Sequence, residues 1–190
     1  MRRLKGVVLI LAALTVPAVA RAQMGMPKHE FGVDLAASYT KIGSGCSSDC
    51  SGFIATTPVD VRIGFLTGGP LSVEPRFTFS YVSASGSHAL MFDPDINVLF
   101  RIGQGSGLHH MMGLYVTGGV GIAILNAKIS GGTSETTTQL SVNAGVGTRA
   151  AFGSAAFRPE AFFRYNFENS GKGVPSSIDV GARIGLSFFH

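Results

Sequence analysis

From Phe31 to the end of the chain, apolar residues alternate with polar or small residues in eight successive segments, separated by breaks rich in Gly, Pro, Ser or Asn. Each segment has about ten residues, which is the length and period of strands that cross a membrane as a β-barrel. In the last segment, one face carries Ile178, Val180, Ala182, Ile184, Leu186 and Phe188, and the other carries Asp179, Gly181, Arg183, Gly185 and Ser187. The pattern predicts an all-β fold, an eight-stranded antiparallel up-and-down transmembrane β-barrel.

The breaks between the segments alternate in length. The longer ones are 42–52, 84–88, 126–137 and 168–176, and the tight ones are 67–70, 103–107 and 153–154. Bacterial barrels of this kind have short periplasmic turns and longer extracellular loops. We therefore expect the longer connections, including the GGTSETTT stretch at 131–138, on the cell surface and both chain termini in the periplasm.

The first 22 residues have the composition of a secretory signal peptide. Two arginines and a lysine lie within the first five residues, an apolar run extends over 7–20, and Ala20-Arg21-Ala22 is a small-x-small cleavage site. We expect cleavage before Gln23, which leaves one barrel domain at 23–190 in the bacterial outer membrane. The alternative is a retained membrane helix, which needs about 20 apolar residues, and this run is shorter.

Removal of this segment changes the electrostatics. Four of the 15 Lys and Arg residues lie within it, and none of the 11 Asp and Glu residues does. Residues 23–190 are therefore formally neutral. The high isoelectric point of the whole sequence thus gives no indication of a nucleic-acid partner, and we expect none.

Both cysteines, Cys46 and Cys50, lie in one Gly/Ser-rich break, GSGCSSDCSG. In an exported protein this spacing favours a local disulfide. Free thiols or a metal pair are the alternatives, although two ligands without a histidine in the loop do not complete a zinc site.

The charged residues follow the polar side of the alternation. All seven arginines of 23–190 lie there within the segments, together with eight of the eleven acids, whereas the four lysines lie at segment ends or in breaks. An eight-stranded barrel has an interior just wide enough to be filled by side chains, and the arginine fork suits paired carboxylates. We therefore predict a structural charge network in the lumen, formed by Asp34, Asp60, Arg62, Glu74, Arg76, Asp95, Arg101, Arg149, Arg158, Glu160, Arg164, Asp179 and Arg183. The alternative is a soluble lipocalin-like barrel, in which the apolar side would line a ligand cavity.

Three stretches are similar to a known family: YVTGGVGIAI at 115–124, LSVNAGVGTRAAF at 140–152 and the final RIGLSFFH. They resemble the small outer-membrane β-barrels that include the OmpA transmembrane domain, OmpX and the opacity proteins. The resemblance implies contact with outer-membrane lipid and recognition of the C-terminal strand by the barrel-assembly machinery. Arg183, Gly185 and Phe188 match the C-terminal pattern of that family, and His190 stands where a terminal Phe is usual.

The sequence carries no signature of catalysis. GxSxG, HExxH and the GK[ST] ending of a phosphate loop are all missing, and His109 and His110 adjoin a predicted turn. We expect no catalytic residues, no cofactor and no metal site. The favoured function is non-enzymatic: surface interaction or adhesion through the loops, with an unknown partner, or a structural role in the envelope. A small pore or solute channel is the first alternative, and a lipid-modifying enzyme is the second.

Overall fold

A computed structural model describes residues 28–43, 51–54, 59–84, 87–102, 112–128 and 132–190. The predicted signal peptide, Cys46, Cys50 and the predicted turn at 103–107 lie outside these ranges. The strands are β1 (His29–Ile42), β2 (Ser51–Ile54), β3 (Val59–Leu66), β4 (Leu71–Ala84), β5 (Ser87–Arg101), β6 (Gly113–Lys128), β7 (Ser134–Phe152), β8 (Ala155–Asn166) and β9 (Ser177–Phe189). A short 3-10 turn spans Ser170–Lys172. In the described ranges, no helix has the length and hydropathy needed to cross a membrane.

Successive strands of the barrel pair antiparallel, and the sheet closes on itself. The first strand pairs with β2 at Tyr39↔Phe53 and with β3 at Val33↔Val61, so β2 and β3 are two parts of the second barrel strand. Closure comes from β1 and β9, which pair from Glu30↔Phe189 to Ile42↔Ser177. The predicted eight-stranded up-and-down barrel is thereby confirmed.

The connections define two ends of the barrel. The turn end carries the chain ends of the barrel and the connections 67–70 and 153–154, which are as tight as the sequence predicts. Gly68 and Gly153 adopt positive φ angles of 76° and 60° there, a conformation that glycine adopts without a steric penalty. The loop end carries the connections β4–β5, β6–β7 and β8–β9.

The prediction of a long connection is wrong in two places. β4 ends at Ala84 and β5 begins at Ser87, so the 84–88 connection is short. β6 continues to Lys128 and β7 begins at Ser134, so most of the GGTSETTT stretch is strand rather than loop. The reason is physical: a strand that projects into water is wetted on both faces and loses its apolar alternation, while β-branched threonines still favour extended backbone.

Burial in the barrel is inverted relative to a soluble protein. Among the described residues, 21 buried side chains are polar or charged and five are hydrophobic. The outward residues are apolar and exposed, as shown by Ile96 and Val120 at 61% and Leu140 at 63%. This arrangement overturns the lipocalin-like alternative, because the apolar face points away from the lumen.

Three prolines lie within strands, and each interrupts one ladder. Pro75 breaks the pairing with β3, Pro94 the pairing with β6, and Pro159 the pairing with β7, while pairing with the other neighbour continues. Proline has no backbone N–H to donate, so it fits a strand only where one ladder bond is dispensable. The barrel tolerates them because each gap is bounded by continuous pairing.

Candidate functional site

The turn-end half of the lumen is filled by charged side chains centred on Arg158. Its Nη1 and Nη2 donate to Oε2 and Oε1 of Glu74 at 2.5 and 3.0 Å, and Nη2 also donates to Oε2 of Glu160 at 3.2 Å. Its Nε donates to the hydroxyl of Tyr115 at 2.6 Å, and that hydroxyl donates to Glu160 at 2.8 Å. All four side chains are buried.

Arg76 connects the same two glutamates. It donates to both carboxylate oxygens of Glu160, at 3.0 and 2.9 Å, and from Nε to Glu74 at 2.8 Å. Parallel N–H···O bonds of this kind hold both groups in a defined geometry.

Arg62 and Arg149 extend the network toward β1. Arg62 donates from Nε to Asp34 at 2.7 Å, from Nη1 to Glu30 at 2.8 Å and from Nη2 to Ser187 at 2.9 Å. Arg149 donates to the other oxygen of Glu30. The side chains of Arg62, Arg149 and Glu30 have no exposed area.

We call these eight residues the charged plug: Glu30, Asp34, Arg62, Glu74, Arg76, Arg149, Arg158 and Glu160. Four carboxylates and four guanidiniums make it formally neutral. Buried charges are tolerated when they are paired. Every charged group of the plug has an oppositely charged partner, through contacts across five strands. Asp34 Oδ1 and the Nε and Nη1 of Arg149 have no hydrogen-bond partner among the described residues.

A second group, the outer charges, lies nearer the loop end: Asp60, Asp93, Asp95, Arg164, Asp179 and Arg183. Arg164 pairs with Asp93 at 2.9 Å and with Asp95. Arg183 donates to Asp60 at 2.8 Å and approaches Glu160 of the plug at 3.3 Å.

Two residues of the predicted network have other partners. Arg101 donates to the carbonyl oxygen of Gly69 in the 67–70 turn, not to a carboxylate. Asp179 accepts from Thr40 Oγ1 at 2.6 Å and from Asn166 Nδ2 at 2.9 Å, not from an arginine. Both side chains are displaced toward the ends of the barrel, where neutral donors and backbone carbonyls are nearer than the oppositely charged groups.

Two aromatic residues of the lumen have a role that the alternation pattern does not predict. Tyr115 accepts cation–π contacts from Arg158 and Arg149, whose guanidinium carbons lie 4.5 and 5.3 Å from its ring centroid. Phe162, an apolar residue on the polar side of its segment, stacks under Arg183 at 4.2 Å. An aromatic residue that breaks the alternation is the sequence signal that could have identified Phe162.

Glycines on the inner face make room for the long side chains. A Cβ on Gly32 would collide with the guanidinium of Arg62, and one on Gly147 would collide with the ring of Tyr115. A Cβ on Gly185 or Gly121 would meet the carboxylates of Asp34 and Asp95, and would also press on backbone oxygens of the neighbouring strands. Small residues opposite large ones are therefore part of how the lumen is packed.

Beyond the plug, the loop-end half of the lumen holds a cavity of about 380 Å³, which we call the outer cavity. Its charged lining comes from the outer charges Asp60, Asp93, Asp179, Arg164 and Arg183. The rest of the lining consists of small, apolar or neutral polar residues on seven of the nine strands and Val174 in the connection after β8.

The described histidines contact aromatic rings. His29 lies edge-on to Phe65 and beside His190 at the turn end, and His88 packs beside Tyr81 at the loop end. His109 and His110 lie outside the described residues. Among the described residues, no group of three or more His, Cys, Asp or Glu side chains is arranged to hold a metal ion.

An exposed apolar band around a charged, filled lumen defines a small barrel of the outer-membrane type. The family model described as "Outer membrane protein beta-barrel domain" matches residues 7–179, and the chain belongs to this family. Its place is therefore the bacterial outer membrane, where the apolar band contacts lipid.

Solved structures share this fold at low sequence identity. Neisserial surface protein A aligns with a TM-score of 0.54 and 13% identity, covering 85% of this chain and 98% of that one. Ail, the attachment invasion locus protein of Yersinia pestis, aligns with a TM-score of 0.51 and 16% identity, covering 87% and 99%. Ail in complex with the heparin analogue sucrose octasulfate aligns with a TM-score of 0.50, the same identity and the same coverage. No curated protein sequence matches the chain significantly.

Proposed function

We propose that this protein is a closed, non-enzymatic barrel of the outer membrane that acts at the cell surface through its loop end. The charged plug is the observation that carries the proposal. It joins β1, β3, β4, β7 and β8 across the lumen through direct hydrogen bonds. A lumen filled in this way favours a membrane anchor over a solute channel, because a continuous water path would require breaking buried ion pairs.

The loop end supplies an ordered polar surface. β7 pairs with β8 only as far as Ser141↔Asn166, whereas β6 and β7 continue together to Lys128↔Ser134. The β6–β7 hairpin therefore projects past its neighbour. Its hydroxyl and amide groups are hydrogen-bonded to one another at 2.7 Å (Asn126 to Thr136) and 3.0 Å (Ser134 to Asn126).

The connection after β8 is held against this hairpin. Gln139 donates to the carbonyls of Phe167 and Pro175 at 3.1 and 2.9 Å, and Asn169 donates to the carbonyl of Thr138 at 2.7 Å. A preorganised surface loses less entropy on binding than a floppy loop does. These contacts support an interaction surface, which we assign to the hairpin residues 126–128 and 134–139 together with the connection 167–176.

The partner is a molecule outside the cell. The neighbouring Ail structure holds a heparin analogue, so heparin is the first probe for this chain. The interaction surface carries two lysines, Lys128 and Lys172, and two acids, Glu135 and Glu168. Because these charges balance, a neutral or mixed partner is as compatible with the surface as an anionic one. Epithelial cell monolayers are therefore the second probe.

The test uses a bacterial host that lacks the protein, expressing either wild type or the triple variant Asn126→Ala/Ser134→Ala/Thr136→Ala. We expect wild type to increase retention on heparin or on cell monolayers, and the hairpin variant to lose that increase. Thr67→Ala, which removes a hydroxyl at the turn end, is the matched control and retains it. Equal retention with and without the protein would contradict surface interaction and favour an envelope role, measured as increased detergent sensitivity of a deletion strain.

Two further measurements test the other functions. Lipid A and phospholipids from cells with and without the protein have identical mass spectra if the protein is not a lipid-modifying enzyme. Wild type in a planar bilayer shows no steady conductance if the plug closes the lumen. The last strand, with Arg183, Gly185 and Phe188, is the segment we propose for recognition by the barrel-assembly machinery.

A further inference from the structure

The outer cavity lies inside the barrel and shares the lining residues Thr137, Gln139 and Val174 with the interaction surface assigned above. Its volume of about 380 Å³ lies within the range of small-molecule sites, about 300–1,000 Å³. Inward residues of β1 mark where the cavity starts: Gly32 and the plug residue Asp34 are buried, whereas Ser38 and Thr40 are only half-buried. The lining reaches Val174 in the loop-end connection, so the cavity lies on the extracellular side in the proposed orientation.

Charge around the cavity is not balanced. The outer charges contain four carboxylates and two guanidiniums, an excess of two negative charges, in contrast to the neutral plug below them. Asp60, Asp93 and Asp179 line the cavity directly, and Asp95 shares Arg164 with Asp93. Carboxylates that are removed from bulk water need a compensating charge.

Two acceptor atoms and two arginine Nε donors, on Arg164 and Arg183, have no hydrogen-bond partner in the cavity wall among the described residues. The Nε of Arg183 still lies 3.3 Å from a carboxylate oxygen of Glu160. The two acceptors are the atoms that a cation can use. Asp93 is 2% exposed, and its Oδ2 accepts from Arg164, but its Oδ1 has no hydrogen-bond partner among the described residues. Asn166 is 6% exposed, and its Nδ2 donates to Ser177 and Asp179. Its Oδ1 has no hydrogen-bond partner among the described residues. Buried acceptors without a donor are costly, and both of these residues line the cavity.

The apolar part of the cavity lining indicates which kind of cation fits. Met91, Leu125 and Ala123 give it an apolar side, which suits methylene groups better than a hydrated inorganic ion. The described residues also provide no group of three metal-ligating side chains. An ammonium group carries three donors and a positive charge, which matches acceptor atoms in an acidic cavity.

We propose that the outer cavity binds a small aliphatic amine. Its ammonium donates to Asp93 Oδ1 and Asn166 Oδ1, and its methylene chain packs against Met91 and Leu125. The cation compensates the carboxylate charge that Arg164 and Arg183 do not balance. The plug forms the floor of the site.

The test is calorimetric titration of the full barrel in lipid nanodiscs with 1,5-diaminopentane, at about 0.15 M salt to screen surface attraction. We expect saturable one-site binding of the diamine and none of pentane-1,5-diol, its neutral counterpart. Asp93→Asn is expected to weaken binding about 10- to 100-fold, because it removes the charge from a hydrogen bond to an ammonium group. Glu135→Gln removes an acid at the same end of the barrel that does not line the cavity, and leaves binding unchanged.

Ala123→Leu is the second variant. It fills the cavity without altering any charge, and we expect it to weaken diamine binding even if Asp93→Asn does not fold. The proposal is overturned if wild type shows no saturable binding, or if the diol binds as well as the diamine. It is also overturned if Asp93→Asn and Glu135→Gln weaken binding equally, since that result indicates general attraction to an acidic surface.

Discussion

Replacing Arg158 with methionine tests whether the charged plug stabilises the barrel. Arg158→Met keeps a long, flexible side chain in the lumen but removes the hydrogen bonds to Glu74, Glu160 and Tyr115. The plug then carries a net charge of −1. Removing one partner of a buried ion pair costs about 3–5 kcal/mol, because the other charge stays buried. Some compensation remains, since Arg76 still contacts both glutamates, so we expect a loss of about 3 kcal/mol in the free energy of unfolding.

Denaturant titration in detergent micelles measures this loss. The chain has no tryptophan, so folding is followed by far-ultraviolet circular dichroism and by the different gel migration of folded and boiled protein. The midpoint and slope of the transition give the free energy. The double variant Arg158→Met/Glu74→Gln restores neutrality, and we expect it to cost about 2 kcal/mol less than the sum of the two single variants.

Arg101→Met is the matched control. Arg101 is a buried arginine on the same inner face, but it donates to a backbone carbonyl of the 67–70 turn and not to a carboxylate. Its loss is expected to cost about 1–2 kcal/mol. Equal midpoints for Arg158→Met and Arg101→Met, or additive effects in the double variant, would refute the reasoning that plug ion pairs are coupled and stabilising.

The remaining predictions concern packing, lipid contact and export. Gly121→Val prevents formation of the heat-shifting folded band, because its side chain meets Asp95 and a backbone oxygen, whereas Gly118→Ala, with its nearest neighbour at 3.7 Å, folds normally. Ile96→Arg, in the middle of the lipid-facing band, lowers the unfolding free energy by about 2–4 kcal/mol, and Phe152→Arg at the turn end by about 0–1 kcal/mol. Amino-terminal sequencing of the outer-membrane form begins at Gln23 if the signal peptide is cleaved, and a leader-bearing amino terminus rejects this. The two cysteines of the exported chain react with maleimide only after reduction if they form a disulfide, and reaction without reductant rejects that pairing.

The direction of each side chain could be predicted from the sequence because strand geometry is local. Successive residues of a strand point to opposite faces, so Ile96 and Asp95 face lipid and lumen wherever β5 lies in the barrel. The same rule places arginines inward on every strand that carries them. It is harder to predict that the strands continue through Pro75, Pro94 and Pro159. Each proline interrupts pairing with one neighbouring strand only, and the sequence of its own strand does not show which one.

The local rule fails where its physical cause is missing. Outside the membrane no lipid selects an apolar face, so the ends of β6 and β7 show no alternation, and the sequence predicts loop there. The rule also does not predict which groups an inward side chain forms hydrogen bonds with. Arg101 and Asp179 point inward as arginine and aspartate of the network do, yet their hydrogen bonds go to Gly69, Thr40 and Asn166.

Hydrophobic alternation by itself thus determined the number of membrane strands, the face that each residue presents and the location of charge inside the lumen. Closure and stagger of the barrel decided which lumen side chains meet. They set which residues of different strands lie at the same height along the barrel axis. Glu30 and Arg149 are 119 positions apart and meet only when β1 and β9 pair. The same stagger places eight balanced charges together in the plug. It also leaves one acceptor on each of the cavity-lining residues Asp93 and Asn166 without a partner among the described residues. Pair interactions depend on distance in space, which the order of residues does not contain.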